Sequence, residues 1–208
     1  MEVLTFAVLV TPFIIVFYLA VLLIVRPSRA VLLSSLLGGL ILGVVNFLFD
    51  LAASSAHWWH YNLTIPSPQQ KIPFDIPAET FTQFMSHLPF PYYLTPILIF
   101  GSLAYMVIWK LWRGPKHRIA QIVLFGVPVF CILRDILVAQ SGGTYATSWD
   151  SPIAPLMVVL MWLIGFFVGY LVFKKLSPTR ESVEARRQAE HERLLAAIEA
   201  RKKAMQQS

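Results

Sequence analysis

The chain has 208 residues, of which 57% are hydrophobic and only 13% charged, with a formal net charge of +6. This composition is typical of a membrane protein and excludes a soluble globular domain or a disordered chain. The cations stand in short segments between apolar runs, with no aromatic-and-basic recognition module, so we expect a membrane surface and no nucleic acid as partner.

Five apolar runs are each long enough to cross a hydrocarbon core, which needs roughly 20 residues. We therefore expect an all-α, polytopic protein with a five-helix transmembrane domain over residues 1–176. The first run lacks the cationic start of a cleaved signal peptide, so it is predicted to be a retained helix. The predicted spans are approximately 4–25, 30–49, 93–112, 119–140 and 152–173.

Lys and Arg residues are distributed unevenly between the connections. The loops 51–92 and 141–151 carry only Lys71, whereas the segments after the first, third and fifth runs are basic. Short loops rich in Lys and Arg stay in the cytoplasm. We therefore expect the N-terminus outside, the C-terminus cytoplasmic, and both cation-poor loops on the outer (periplasmic or lumenal) side.

Small residues recur within two of the runs. Gly38, Gly39 and Gly43 lie in the second predicted span, and Gly165 and Gly169 lie in the fifth. Small side chains let membrane helices approach closely, so this pattern predicts close packing at these positions.

The segment 177–208 is predicted to be a charged cytoplasmic tail that folds as a helix. Cations and acids alternate along it, which is typical of a solvated helix held by ion pairs between successive turns. A few apolar residues, such as Leu194 and Ile198, leave a protein partner bound through this tail as the alternative.

Two carboxylates bracket the densest aromatic segment of the chain. Asp50 stands at the end of the second run, Glu79 precedes the third, and residues 57–62 between them read HWWHYN. Carboxylates are energetically costly at a bilayer boundary, so this arrangement indicates a site on the outer side of the membrane. The alternative is that Trp and Tyr serve here only as interfacial anchors.

The loop 51–92 is predicted to carry an interfacial helix over residues 78–88. Glu79 would lie in its first turn, where a carboxylate suits the helix dipole. Phe81 and Phe84 share its apolar face.

These residues resemble the signature of the integral-membrane lycopene cyclases of bacteria, archaea and fungi. In that family an Asp closes one span, a Trp-x-aromatic follows, and Pro-x-Glu-Glu introduces the next span. The chain has Asp50, WHYN at 59–62 and PAET at 77–80, within a resemblance that covers roughly residues 4–113. It departs from the family at Thr80, which replaces the second Glu.

The resemblance implies a site for an isoprenoid-type lipid. Asp50 and Glu79 would be its catalytic residues, in a non-redox isomerisation or cyclisation that begins with a proton from a carboxylic acid. A weaker second copy of the pattern runs from Arg134-Asp135 to residues 152–154, which would make the two halves a parallel repeat. The substrate-binding residues expected on this basis are Trp58, Trp59, Tyr61, Asn62, Phe81, Phe84, Arg134 and Asp135.

A second resemblance is to the superfamily of sterol isomerases and sigma-2-receptor-like membrane proteins, over about residues 30–176. It rests on the acid at the end of one span, Asp50, and on the acid before the next, Glu79. The isomerase branch has a His one turn before the first acid, whereas this chain has Asn46. That difference favours a noncatalytic protein that binds a sterol or lipid.

The shared chemistry needs a protonated carboxylic acid and an ionised one beside an apolar cavity with aromatic walls. Aromatic faces and the ionised carboxylate stabilise a developing carbocation. The alternative is structural, with Asp50 and Arg134 forming an ion pair. A third possibility is a noncatalytic subunit of a larger membrane assembly.

A metal site is the remaining alternative on the outer side. His57, His60 and His87, with Asp75 and Glu79, offer imidazole and carboxylate ligands. Their spacing matches no recognised metal-binding motif, so no metal is assigned, and the sequence identifies no cofactor.

Overall fold

The computed structural model describes residues 10–61, 90–112, 115–141 and 147–207. Within these ranges the chain is all-α apart from one small sheet of two strands, β1 (Trp59–Tyr61) and β2 (Thr147–Trp149). A 3-10 turn (Phe90–Tyr93) and a π-helix (Pro96–Leu103) precede α3. The α-helices are α1 (Thr11–Val25), α2 (Arg29–Ala56), α3 (Ala104–Leu111), α4 (His117–Ser141), α5 (Ala154–Leu176) and α6 (Arg180–Gln207).

Four helical segments are long and apolar enough to cross a membrane. The described part of the first predicted span, Thr11–Val25, is an apolar helix but is shorter than these four. The all-α class is thereby confirmed. These four candidate segments are Arg29–Ala56, Pro91–Leu111, His117–Gln140 and Ala154–Glu199, of which the last continues from α5 into the charged helix α6.

Helix α2 extends beyond the end predicted from hydropathy. Ser28 caps its N-terminus by accepting a hydrogen bond from the Val31 backbone, and the left-handed backbone of His57 (φ 53°) ends it after Ala56. The predicted span 30–49 is the apolar part of this helix, and residues 51–56 (LAASSA) continue it because they remain compatible with a helix although their hydropathy falls. Asp50 therefore lies inside a helix, and the connection after α2 begins at residue 57.

Helix α2 packs most extensively against α5 and the π-helix. A Cβ atom built on Gly38 would lie 2.7 Å from the backbone oxygen of Gly169, and one on Gly39 would lie 2.1 Å from that of Ile97. Only glycine permits such backbone contact. The predicted role of these small residues in helix packing is confirmed.

A buried polar layer joins the helices at this level. The Ser102 hydroxyl is hydrogen-bonded to the Tyr18 hydroxyl at 2.7 Å and to the Ser35 hydroxyl at 2.9 Å. Tyr105 donates to the Phe166 carbonyl at 2.8 Å. Hydrogen bonds between helices are a main source of association in an apolar medium, so this layer fastens α1, α2, α3 and α5 around the π-helix.

Charged side chains gather near the two ends of the bundle. At one end, called the basic end below, Lys110 donates to the carbonyls of Ile24 and Val25, and the Trp109 indole donates to the Pro178 carbonyl. These contacts bring the C-terminal ends of α1, α3 and α5 together. The other end, called the acidic end, holds the small sheet and the carboxylates Asp50, Asp135 and Asp150.

The tail is helical, as the sequence predicts. Helix α6 is exposed along most of its described length, although Val183 is buried near its start. Thr179 caps the helix by accepting a hydrogen bond from the Ser182 backbone at 3.3 Å. Leu194 and Ile198 remain more than half exposed.

Candidate functional site

The aromatic segment after α2 turns back towards that helix. The left-handed residue His57 reverses the chain, and β1 then pairs with β2 in an antiparallel register of Trp59 with Trp149 and Tyr61 with Thr147. Side chains two residues apart on a strand point to the same face. Trp59 and Tyr61 therefore both face the last turns of α2.

The Asp50 carboxylate is the centre of the resulting arrangement. It is only 3% exposed. Its Oδ1 accepts a hydrogen bond from the Trp59 indole at 3.0 Å and another from the Tyr61 hydroxyl at 2.8 Å. Its Oδ2 accepts from the Tyr93 hydroxyl at 2.5 Å. Burial disfavours the charged form of this carboxyl group, and the three converging donors act in the opposite direction.

The Tyr61 hydroxyl is fixed in its donor role. Burial, and the charge of Asp50 beside it, raise the pKa of Tyr61 well above its usual value of 10.0. The hydroxyl therefore keeps its proton at physiological pH and continues to donate it to the carboxylate.

A second carboxylate, Asp135, lies on α4. It pairs with Arg134, the residue that the structural alternative assigned to Asp50. The Arg134 guanidinium donates to Asp135 Oδ1 at 2.6 Å and 2.8 Å, and the Trp162 indole donates to Oδ2 at 2.7 Å. The alternative of an ion pair between Asp50 and Arg134 is therefore wrong, because α4 supplies its own carboxylate to Arg134. The guanidinium carbon also lies 5.5 Å and 5.6 Å from the ring centres of Phe100 and Trp162, within range of a cation–π interaction.

Both carboxylates border one cavity of about 270 Å³ at the acidic end. Tyr61 and Arg134, which the sequence also singled out, line it with them. The remaining wall is mostly aromatic and apolar, and includes Tyr92, Tyr93, Pro96, Val138, Met161 and Trp162. The arrangement can therefore hold a mostly apolar group beside two carboxylates and one guanidinium.

The predicted site residues fall into three groups. Asp50, Trp59, Tyr61, Arg134 and Asp135 are brought together, with Trp59 joining Asp50 and Asp135 around a smaller adjoining space. Trp58 lies behind them, half-buried, with its ring centre 6.0 Å from that of Trp59. Outside the described residues lie Asn62, Glu79, Phe81, Phe84 and the interfacial helix predicted over 78–88.

Two residues of the site were missed by the sequence reasoning. Tyr93 was interpreted only as the start of the third predicted span, yet it makes the shortest hydrogen bond to Asp50. Trp162 lies well inside α5, whereas Trp in a membrane helix usually lies near an interface. Its position was the signal that this indole has a polar partner inside the bundle.

His60, at the acidic end, pairs with one carboxylate and is not part of a group of metal ligands among the described residues. His60 Nδ1 lies 2.8 Å from Asp150 Oδ2, and both side chains are well exposed, at 47% and 35%. Among the residues that the structure describes, no group of three His, Cys, Asp or Glu side chains could hold a metal ion. His87, Asp75 and Glu79 lie outside those residues.

Comparison of the chain with protein-family models, with curated proteins and with solved structures finds no match. Interpretation of the site therefore depends on its own geometry. That geometry combines a buried carboxylate held by three donors, a second carboxylate paired with an arginine, and an aromatic cavity between them.

Proposed function

We propose that this protein binds one end of an isoprenoid-type lipid in the cavity at the acidic end and acts there as a non-redox isomerase or cyclase. The observation that carries the proposal is the convergence of Asp50 and Asp135 on one aromatic cavity of an apolar helix bundle. A carboxylate inside the membrane is energetically costly, and such residues usually belong to functional sites. The resemblance to lycopene cyclases supports the same class of ligand.

The size of the cavity favours the end of a long lipid rather than a whole molecule. Small-molecule pockets usually measure about 300–1,000 Å³, and this cavity of about 270 Å³ lies just below that range. Tyr92, Met161 and Trp162 offer apolar and aromatic surface to such an end group. The remainder of the chain would lie along the apolar outer surface of the helices.

Of the two carboxylates, Asp50 suits the stabilisation of positive charge better than the supply of a proton. Asp50 accepts three hydrogen bonds, which offset part of the cost of its buried charge, and the ionised group would stabilise a carbocation or remove a proton from it. Asp135 is neutralised by Arg134. The proton donor in this scheme is Glu79, which the cyclase resemblance assigns to the same site.

A noncatalytic protein that binds a sterol or lipid is the second candidate. It is favoured by the pairing of both carboxylates, since Asp50 and Asp135 are each held by protein donors. Such a satisfied network can shape a binding site without moving a proton. Incubation with isoprenoid lipids distinguishes the two candidates, because only an enzyme would return a product with a shifted double bond or a new ring.

A bulky substitution in the cavity wall tests the ligand site without altering either carboxylate. We expect Val138→Phe to remove most of the isoprenoid-type lipid that is extracted with the purified protein, because Val138 lines the cavity. The matched control is Leu137→Phe, on the adjacent residue, which is 63% exposed and does not line it. Mass spectrometry of the extracted lipid measures both. Equal lipid content in wild type and both variants would contradict the proposal.

We also propose that the chain crosses the membrane five times, with the N-terminus outside and the C-terminus in the cytoplasm. The clustering of Arg26, Lys110, Lys174 and Lys175 at the basic end supports this orientation. The substrate site would then lie on the outer side, at the acidic end.

Cysteine labelling tests this topology. In a Cys131→Ala background, we expect Ser67→Cys to react with an impermeant maleimide on intact cells, and Gln188→Cys only after permeabilisation. Ser67 belongs to the predicted outer loop, whereas Gln188 is an exposed residue of α6. The reverse pattern would overturn the orientation, and labelling of both on intact cells would overturn the number of spans.

A further inference from the structure

A second cleft, of about 260 Å³, lies at the basic end of the bundle, away from the carboxylate cavity. It is bordered by the C-terminal parts of α3 and α5 and by the turn that leads into α6. Its aromatic and polar lining includes Trp109, Trp112, Tyr170, Lys174, Ser177 and Thr179.

The contacts around this cleft hold its shape. The Trp109 indole donates to the Pro178 carbonyl at 2.9 Å, which fixes the turn after α5 against α3. Phe173, only 2% exposed, forms part of the wall, and its ring centre lies 6.5 Å from that of Tyr170. Trp109 also borders a neighbouring cavity whose charged lining residues are Arg26, Lys110 and Glu184, two cations and one acid. The cleft is therefore a formed concavity in a region where cations outnumber acids.

The polar groups of the cleft suit an anion. Lys174 is exposed and has no carboxylate partner within the part of the chain that the structure describes. The Thr179 hydroxyl accepts a hydrogen bond from the Ser182 backbone, so its own proton is available to a ligand, and Ser177 adds a second hydroxyl. No Asp or Glu side chain lines the cleft. An ammonium group with adjacent hydroxyls is a binding arrangement for phosphate.

The apolar walls of the cleft favour a lipid over a free anion as its ligand. Trp112, Tyr170 and Phe173 lie beside Lys174, near the end of an apolar helix, where Trp and Tyr favour the headgroup region of a bilayer. A phospholipid would place its phosphate at Lys174 and its glycerol and upper acyl carbons against the rings. Inorganic phosphate would use the ammonium group alone.

We propose that this cleft binds the phosphate headgroup of an anionic phospholipid in the leaflet at the basic end, with Lys174 as the charged contact. The proposal depends on the placement of α5 across the membrane, but not on the lipid or chemistry of the carboxylate cavity. It assigns a structural lipid to the side opposite the proposed substrate site.

The test compares adjacent lysines. Lys174→Gln and Lys175→Gln change the net charge equally at the same end of α5, but only Lys174 lines the cleft. In native mass spectrometry of protein titrated with phosphatidylglycerol, we expect Lys174→Gln to lower bound lipid roughly fivefold and Lys175→Gln to change it little. Lys174→Arg should retain binding, and phosphatidylcholine should bind wild type more weakly.

Each other outcome overturns the proposal. An equal loss in the two Gln variants would mean diffuse attraction to a charged surface, and no loss in either would mean that the cleft is empty of lipid. Complete displacement of phosphatidylglycerol by millimolar inorganic phosphate would assign the cleft to phosphate alone. Isoprenoid lipid extracted with the same samples should be unaffected by Lys174→Gln, so failure here is distinguishable from failure of the proposed function.

Discussion

Asp50→Asn is expected to lower thermal stability and to remove the lipid bound at the acidic end. The carboxylate accepts hydrogen bonds from Trp59, Tyr61 and Tyr93, whereas an amide offers one acceptor oxygen and one donor group in the same place. The bonds that remain lose their charge assistance, and one buried donor loses its acceptor. A buried donor without an acceptor costs about 1–3 kcal/mol.

The matched control for this variant is Asp150→Asn. Asp150 also lies at the acidic end, but its side chain is 35% exposed and it contacts the imidazole of His60. Exposed pairs of this kind contribute about 0–1 kcal/mol, so little change is expected. Melting temperature and extracted lipid, measured in one detergent for both variants, provide the comparison. Equal stability of the two variants would mean that the three donors do not hold Asp50 as described.

The structure also gives a different reason for the loss of stability expected in Asp50→Asn. In the structural alternative considered from the sequence, Asp50→Asn would have left the Arg134 cation without a partner. Arg134 instead keeps Asp135 at 2.6 Å, so the variant creates no unpaired cation. The penalty arises from the donors that surround Asp50.

Gly39→Ala is expected to destabilise the bundle by about 1–3 kcal/mol or more, the usual cost of overpacking a tight contact. The new methyl group would lie 2.1 Å from the Ile97 carbonyl oxygen and 2.8 Å from the Ser102 nitrogen. Both are backbone atoms of the π-helix and cannot rotate away as a side chain would. Relief would require α2 and the π-helix to separate, which would also strain the Ser35–Ser102 hydrogen bond.

Gly126→Ala on α4 is the matched control. There the new methyl group would meet only the Ile122 side chain at 3.9 Å, which is an ordinary contact. Replacing Gly by Ala inside a helix stabilises it by roughly 0.5–1 kcal/mol, so the two variants should move the melting temperature in opposite directions. Similar shifts would contradict the close approach of α2 to the π-helix.

The membrane class and the approximate positions of the spanning helices could be predicted because apolar runs are a strong and local signal. The charged residues of the site could also be predicted from the sequence, because Asp50, Arg134 and Asp135 lie within or at the ends of apolar runs. Few structures tolerate such residues without partners, and these three lie around one cavity.

The π-helix, the two short strands and the contact of Tyr93 with Asp50 could not be predicted from the sequence pattern. The π-helix Pro96–Leu103 widens the turns of the third span and has no distinct hydrophobic period. The strands β1 and β2 have three residues each, too few for a recognisable alternation. Tyr93 was missed because its partner, Asp50, is 43 positions earlier in the chain. Contacts of that kind are set by how helices pack.

The pairing of β1 with β2 determines when the site can be completed during synthesis. The His60–Asp150 contact beside these strands joins residues 90 positions apart, so it cannot form until the chain through Asp150 has been made. Chains are synthesised from the N-terminus at about 5–20 residues per second. Asp50 and its local partners Trp59 and Tyr61 therefore exist for several seconds before Tyr93, and longer before β2. Assembly of the carboxylate site is a late event in the biogenesis of this protein.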